Sequence, residues 1–162
     1  MVEFAILIPF LFSIVMGGVD FGRVFGQNAA IYGAGREAAR QAIVYSLVSN
    51  SNPNYGQDGT ILCVAQGEMG EPCDNTAALQ LAPPANVHNC SFTATSPPGP
   101  SMFPTTADSG YLFLCWYTDG NNVKRVRVTI AWTMSLITPF VQNMVGTPHL
   151  HAIVDASAQS FP

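Results

Sequence analysis

The side chains in this sequence that could do chemistry are few: carboxylates set in or beside an apolar run, four cysteines, two nearby histidines and one basic cluster. Glu3 opens "MVEFAILIPFLFSIVMGGVDFGRVFGQ", in which nothing from Phe4 to Val19 is charged. A carboxylate inserted in lipid costs about 2.5 to 3.5 kcal/mol on insertion scales, so it is kept where a partner meets it. A neighbouring chain's N-terminal amine would serve; otherwise Glu3 rests at headgroup level near its own terminus. Asp20 and Arg23 stand three apart on one helix face, and can pair with each other or with a second chain. His149 and His151 lie two apart, on one side of a strand, but no third metal ligand is placed by spacing, and they read as ordinary histidines. Ser, His and Asp occur without a nucleophile-elbow pattern. No Gly-rich phosphate loop follows a strand. Lys124, Arg125 and Arg127 read as the wet face of a strand. The expectation is a chain that is not an enzyme, with no cofactor and no metal.

Cys63, Cys73, Cys90 and Cys115 are even in number and irregularly spaced, unlike the paired CxxC of zinc, redox or haem sites. Behind an N-terminus that can cross a membrane they read as two disulfides outside the cytoplasm. Four cysteines allow three pairings. Cys63–Cys73 with Cys90–Cys115 is favoured, since the first closes a short loop and the second ties two segments that both read as strands.

These groups need elements to hold them. From Met1 to Val19 a helix is about 28 Å long, close to the hydrocarbon thickness of a bilayer. A secretory signal would show a basic leader and a small-residue cleavage site, and neither is present. Ala-rich helical spacing continues to "SNSNPNYG", whose Asn, Ser and Pro are breakers, so one helix is expected from about residue 2 to 48, near 70 Å. Pro9 should kink or loosen its first turns. Along it runs a four-residue ladder, Gly18, Gly22, Gly26, Ala30, Ala34, Ala38, Ala42, a shallow groove that admits another helix at close range. Helix propensity alone would explain the Ala half but not the Gly half.

After residue 56 the sequence changes to short runs between turn residues. "TILCVA", "NVHNCSFTA", "GYLFLCWYT", "VKRVRVTIAWTM" and "HLHAIVDASA" read as strands, and Asp119-Gly120-Asn121-Asn122 as a hairpin turn. Val126, Val128 and Ile130 alternate with Arg125, Arg127 and Thr129, giving one buried and one wet face, with the second half of the long helix as cover. "TATSPPGPSMFPTTADSG" reads as an exposed excursion, and Asn89-Cys90-Ser91 as a chance glycosylation pattern. The fold class is therefore α+β, a long N-terminal amphipathic, transmembrane helix packed on a small antiparallel β-sheet head. The boundary falls between 1–50, the helix, and 51–162, the outer domain. Of the 162 residues only 10% are charged, and the net charge of −4 lies wholly beyond residue 48, which argues against a general nucleic-acid or anionic-membrane surface.

The N-terminal motifs resemble the TadE-like branch of type IV pilins and pseudopilins, found in Tad or Flp-type pili. The residues that carry the likeness are Glu3-Phe4-Ala5, then Asp20-Phe21-Gly22-Arg23, then Arg36-Glu37-Ala38-Ala39-Arg40 in the same helix. The resemblance implies a structural pilin trimmed by a prepilin peptidase, held in the inner membrane before assembly, and built by the pilus machinery into a self-polymer at the cell surface. The assembly residues it implies, with the ladder, are Glu3, Pro9, Gly18, Asp20, Gly22, Arg23, Gly26, Ala30, Ala34, Arg36, Glu37 and Arg40. A minor pseudopilin and a single-pass anchored binding module are the other functions open at this point.

Overall fold

The protein is described by a computed structural model over residues 2–48, 57–138, 142–143 and 146–157, with side chains in the first helix from residue 7 to 44. Helix α1 spans Val2–Val48 and α2 spans Asp58–Glu68; the strands are Leu79–Leu81 (β1), Ser109–Thr118 (β2), Lys124–Thr133 (β3) and His149–Ser157 (β4). The breaker "SNSNPNYG" lies outside the described residues. α1 is continuous through Pro9, whose carbonyl accepts the Ser13 hydroxyl at 2.9 Å.

The sheet order is β1-β2-β3-β4, with β2–β3 and β3–β4 antiparallel and β1–β2 parallel. The expected antiparallel sheet is thus mixed. The cause is β1, a three-residue strand too short to stand out by alternation, which enters beside β2 through Leu79↔Gly110. The hairpin turn forms where Asp119 and its neighbours call for it: Asn122 takes φ 60°, and the Asp119 carboxylate accepts the amides of Asn121 and Val123 at 2.9 and 3.0 Å. Those amides, with the Arg125 guanidinium at 2.7 Å, hold this carboxyl below its usual range.

One face of the sheet packs on the helices because the residues there match in size. Val126, Val128 and Ile130 meet Ile31, Ala34, Ala38 and Ala42 of α1 together with Ile61 and Ala65 of α2. Alanine at the helix positions lets the sheet come close, and at Gly35 an added Cβ would stand 3.1 Å from the Val154 methyl. "TILCVA" lies inside α2 rather than in a strand. Its Ile61 and Ala65 are four apart and both buried, a helical repeat that a short apolar run conceals. "NVHNCSFTA" forms no strand either: the Asn89 side chain accepts the Ser91 amide at 2.9 Å, a local turn bond in place of a ladder.

The other face is also covered, contrary to the single wet face expected from alternation. The Pro-rich excursion folds back, and Phe92 and Phe103 pack with Ala82 and Val87 on Phe113 and Ala131. Thr133 donates to the Pro104 carbonyl at 2.8 Å, and Arg127 binds the Phe92 carbonyl at 2.7 Å while pairing with Asp155. Thr129, expected wet, is buried between them. On the helix-packed face, a side chain has been given up at one sheet position to make room for Trp132. A Cβ on Gly110 would lie 2.4 Å from the Trp132 ring, its cross-strand partner. Gly110→Ala is expected to destabilise the fold by about 1–3 kcal/mol, since the indole must shift within a packed core. Urea unfolding of the purified chain measures it, and a midpoint equal to wild type would show the ring to be free to move.

Candidate functional site

The candidate residues lie on α1, and the head decides which of them are free. Successive helix residues turn by about 100°, so an i, i+4 row drifts by about 40° at each step. Taking the direction of Asp20 as reference, Val24, Ile31, Ala34, Ala38 and Ala42 all fall within about 40° of it and face the head. The small-residue ladder therefore winds around the helix. Its Ala34, Ala38 and Ala42 are filled by the chain's own sheet, a correction to reading the whole row as one groove for another helix. Gly18, Gly22 and Gly26 lie about 120–160° away, and Gly33 joins them there. An added Cβ at any of these four meets nothing within 4 Å. Ala30 sits half-buried on the flank.

The same outward side carries apolar bulk. Leu7, Ile8, Leu11, Phe12 and Val15 are exposed around a concavity of about 350 Å³, and within Leu7–Val44 the helix is long and apolar enough to cross a membrane. Exposure continues past the membrane length. Phe21 and Phe25, 70% and 67% exposed, lie with ring centroids 6.1 Å apart just beyond Asp20. Farther along, Arg36 and Arg40 are exposed and Arg40 pairs with Glu37 on the same helix. Glu3 belongs to α1, but its side chain lies outside the described residues.

Asp20 is committed within the chain. It is 2% exposed, and its two carboxylate oxygens each accept one backbone amide, from Ile137 and Thr138, both at 2.9 Å. No Asp20–Arg23 ion pair forms within 4 Å; Arg23 keeps a buried guanidinium nitrogen with no hydrogen-bond partner. A carboxylate with two oxygens can hold two successive amides of a turn that leaves β3, and this clasp joins residues 117 and 118 positions apart. Nothing in the spacing of Asp20 points to it, because the partners are backbone.

In the head, disulfides join Cys63 to Cys73 and Cys90 to Cys115, with Cα separations of 4.7 and 4.9 Å, and no described cysteine is free. The segment bearing Cys90 runs beside the edge of β2, where Leu114 donates to Val87 at 2.8 Å. His88, in the same segment, contacts the Leu114 carbonyl and lies 3.2 Å from Asp58. Burial raises the Asp58 carboxyl above its usual range against the opposing pull of His88. His149 stacks on Phe103 at 4.6 Å, and among the described residues no three His, Cys, Asp or Glu groups could hold a metal ion together. Arg125 and Arg127 are tied to Asp119 and Asp155.

Residues 1–40 match the family model described as TadE-like protein, so the motifs at Glu3-Phe4-Ala5, Asp20 to Arg23 and Arg36 to Arg40 all fall in the region of the match. No curated protein and no solved structure matches the chain.

Proposed function

We propose that this chain is a Tad-type pilus-associated protein and, more narrowly, a filament subunit whose α1 packs against α1 of other copies. The observation that supports this reading is the outward side of α1. A bilayer can cover roughly the 27 Å from Val2 to Val19, yet Phe25 stands about 9 Å farther along and is still exposed. Gly18, Gly22 and Gly26 leave open space on that side, where a second helix can approach closely and gain dispersion contacts along its length. A second copy supplies a helix of the right length and the same apolar face.

In this reading the inner membrane holds α1 before assembly, and neighbouring helices replace the lipid afterwards. Glu3 meets the N-terminal amine of a neighbour, and Arg36, Glu37 and Arg40 lie where polar contacts between subunits form. Prepilin peptidase and the assembly machinery act on the chain before it reaches the cell surface. The domain division at residue 50 belongs to the same proposal, with the disulfide-tied head outside. Negative-stain imaging and mass spectrometry of fibres sheared from cells expressing the chain test the reading. The expected result is long fibres in which this chain is the principal component. Fibres that contain it only in trace amounts would overturn the reading in favour of a minor, priming subunit.

A further inference from the structure

The sheet has two edges, and the chain closes only one of them. In an antiparallel pair hydrogen-bonded positions alternate with open ones, so a single bond fixes the phase of a whole strand. The Met134 amide bonds the Pro148 carbonyl at 3.0 Å, one step beyond Thr133↔His149. Trp132–Leu150, Ile130–Ala152 and Val128–Val154 are therefore the bonded pairs, and His151, Ile153 and Asp155 aim their N–H and C=O away from β3. The bond from the Asp119 amide to the Val123 carbonyl gives β3 the same phase from its other side.

The far edge is closed. Gly110, Leu112 and Leu114 of β2 bond Ala78, Ala82 and Val87. The outer side of β1 is sealed in turn by side chains, since Leu79 donates to the Glu71 carboxylate at 2.9 Å and accepts the Gln66 amide at 2.8 Å. β4 ends the sheet on the other side, and among the described residues the outward backbone groups of His151, Ile153 and Asp155 have no partner. Folds usually cover such an edge, because it is a template for another chain.

A second copy does not fit it. Two β4 strands joined about a two-fold axis run antiparallel, which turns their two α1 helices in opposite directions. Chains anchored in one membrane, or sharing the polarity of one filament, cannot pair so, and this exclusion rests on the reading of α1 given above. Nor does a copy present a second open edge. The two rows of β4 state the chemistry of the occupant. Toward α1 the row is Leu150, Ala152 and Val154, with the exposed Tyr32 about 60° farther around the helix than Gly35, which meets Val154. On the opposite row the fixed charge is Asp155, 38% exposed beside Arg127, in a head of net negative charge. We propose that the open edge of β4 takes up an extended segment of a different protein, laid antiparallel, with apolar residues on Ala152 and Val154 and a basic residue on Asp155. Backbone bonds supply the affinity and the two rows the selectivity. A slip of one residue would turn the apolar row to the wrong face.

The test uses the full chain in detergent with its disulfides intact. The probe is a blocked peptide copying Arg125 to Ala131 of β3, the strand that β4 already accepts on its other side. With Arg127 set opposite Asp155, the peptide lays Val128 and Ile130 on Val154 and Ala152 and directs its Thr129 amide at β4. Hydrogen exchange at His151, Ile153 and Asp155 is expected to slow at least tenfold on peptide addition, with Ala152 and Val154 unchanged. N-methylation of the peptide at Thr129 should abolish this and N-methylation at Ile130 should not, a comparison that leaves the protein untouched. Arg125→Glu with Arg127→Glu in the peptide should weaken binding at least threefold; equal binding would overturn the basic residue. His151→Pro removes an outward donor and should fold but bind weakly, whereas Ala152→Pro breaks a ladder bond and should not fold. If both unfold, the assignment of the open edge is overturned. No protection, or equal loss from the two N-methyl peptides, would overturn the proposal and leave the filament reading standing. Dimers that form without peptide and vanish in His151→Pro would overturn both.

Discussion

Gly22→Leu is expected to abolish fibres while leaving the head folded. The position faces away from the head and an added side chain meets no atom of its own chain, so nothing within the subunit resists the change. Helix propensity even favours it, since leucine is better than glycine by close to 1 kcal/mol. A branched side chain would instead hold two helices apart and forfeit the close contacts between them. The measure is the yield of sheared fibre set against the thermal midpoint of the purified subunit. Gly17→Leu is the matched control: the same exchange, also into open space, but turned about 140° around the helix. Val24 would be a poor control, because it packs on the head. Equal fibre yields from Gly22→Leu and Gly17→Leu would remove the glycine side from the assembly interface.

Phe113→Ala is expected to cost about 3–5 kcal/mol of stability, the range for truncating a buried aromatic. Phe113 is 1% exposed, receives Phe92 edge-on at 5.0 Å, and lies between the sheet and the Pro-rich excursion. Its loss should both lower the urea midpoint and speed proteolysis between Thr93 and Asp108, since the excursion would lose its main apolar support. Phe21→Ala, at an exposed position on α1, should leave both readings unchanged. If the two variants unfold at the same urea concentration, the excursion is not part of the core.

These two sites mark what the sequence could and could not convey. Where a pattern repeats along one element it was legible: the length of α1, the alternation of Val126, Val128 and Ile130, and the turn at Asp119-Gly120-Asn121-Asn122. Legibility failed where a residue's fate depends on something distant in the chain. α2 looked like a strand because six apolar-rich residues fit either period, and only its packing on α1 decides between them. Thr129 alternates with buried residues as a wet position should, but the cover over it comes from Phe92, in a run that reads as a strand, and from Phe103, in a stretch whose Pro, Ser and Thr content speaks of solvent. Asp20 was visible as a charge near the membrane edge and as part of a motif. Its partners, two backbone amides more than a hundred residues on, have no letter in the sequence. By spacing alone the ladder from Gly18 to Ala42 is one feature. Helical drift divides it, and the head occupies one half.

The two disulfides also bear on how the head answers to force. A chain pulled from α1 lengthens only by releasing residues from its fold, and extended chain gives up to about 3.3–3.6 Å for each one. Cys63–Cys73 and Cys90–Cys115 close loops with sequence separations of 10 and 25 residues. They therefore withhold roughly 35 Å and roughly 85 Å of slack that an unlinked head would release under load. An oxidised head that is torn open still stops short, and reduction alone would make it a longer tether.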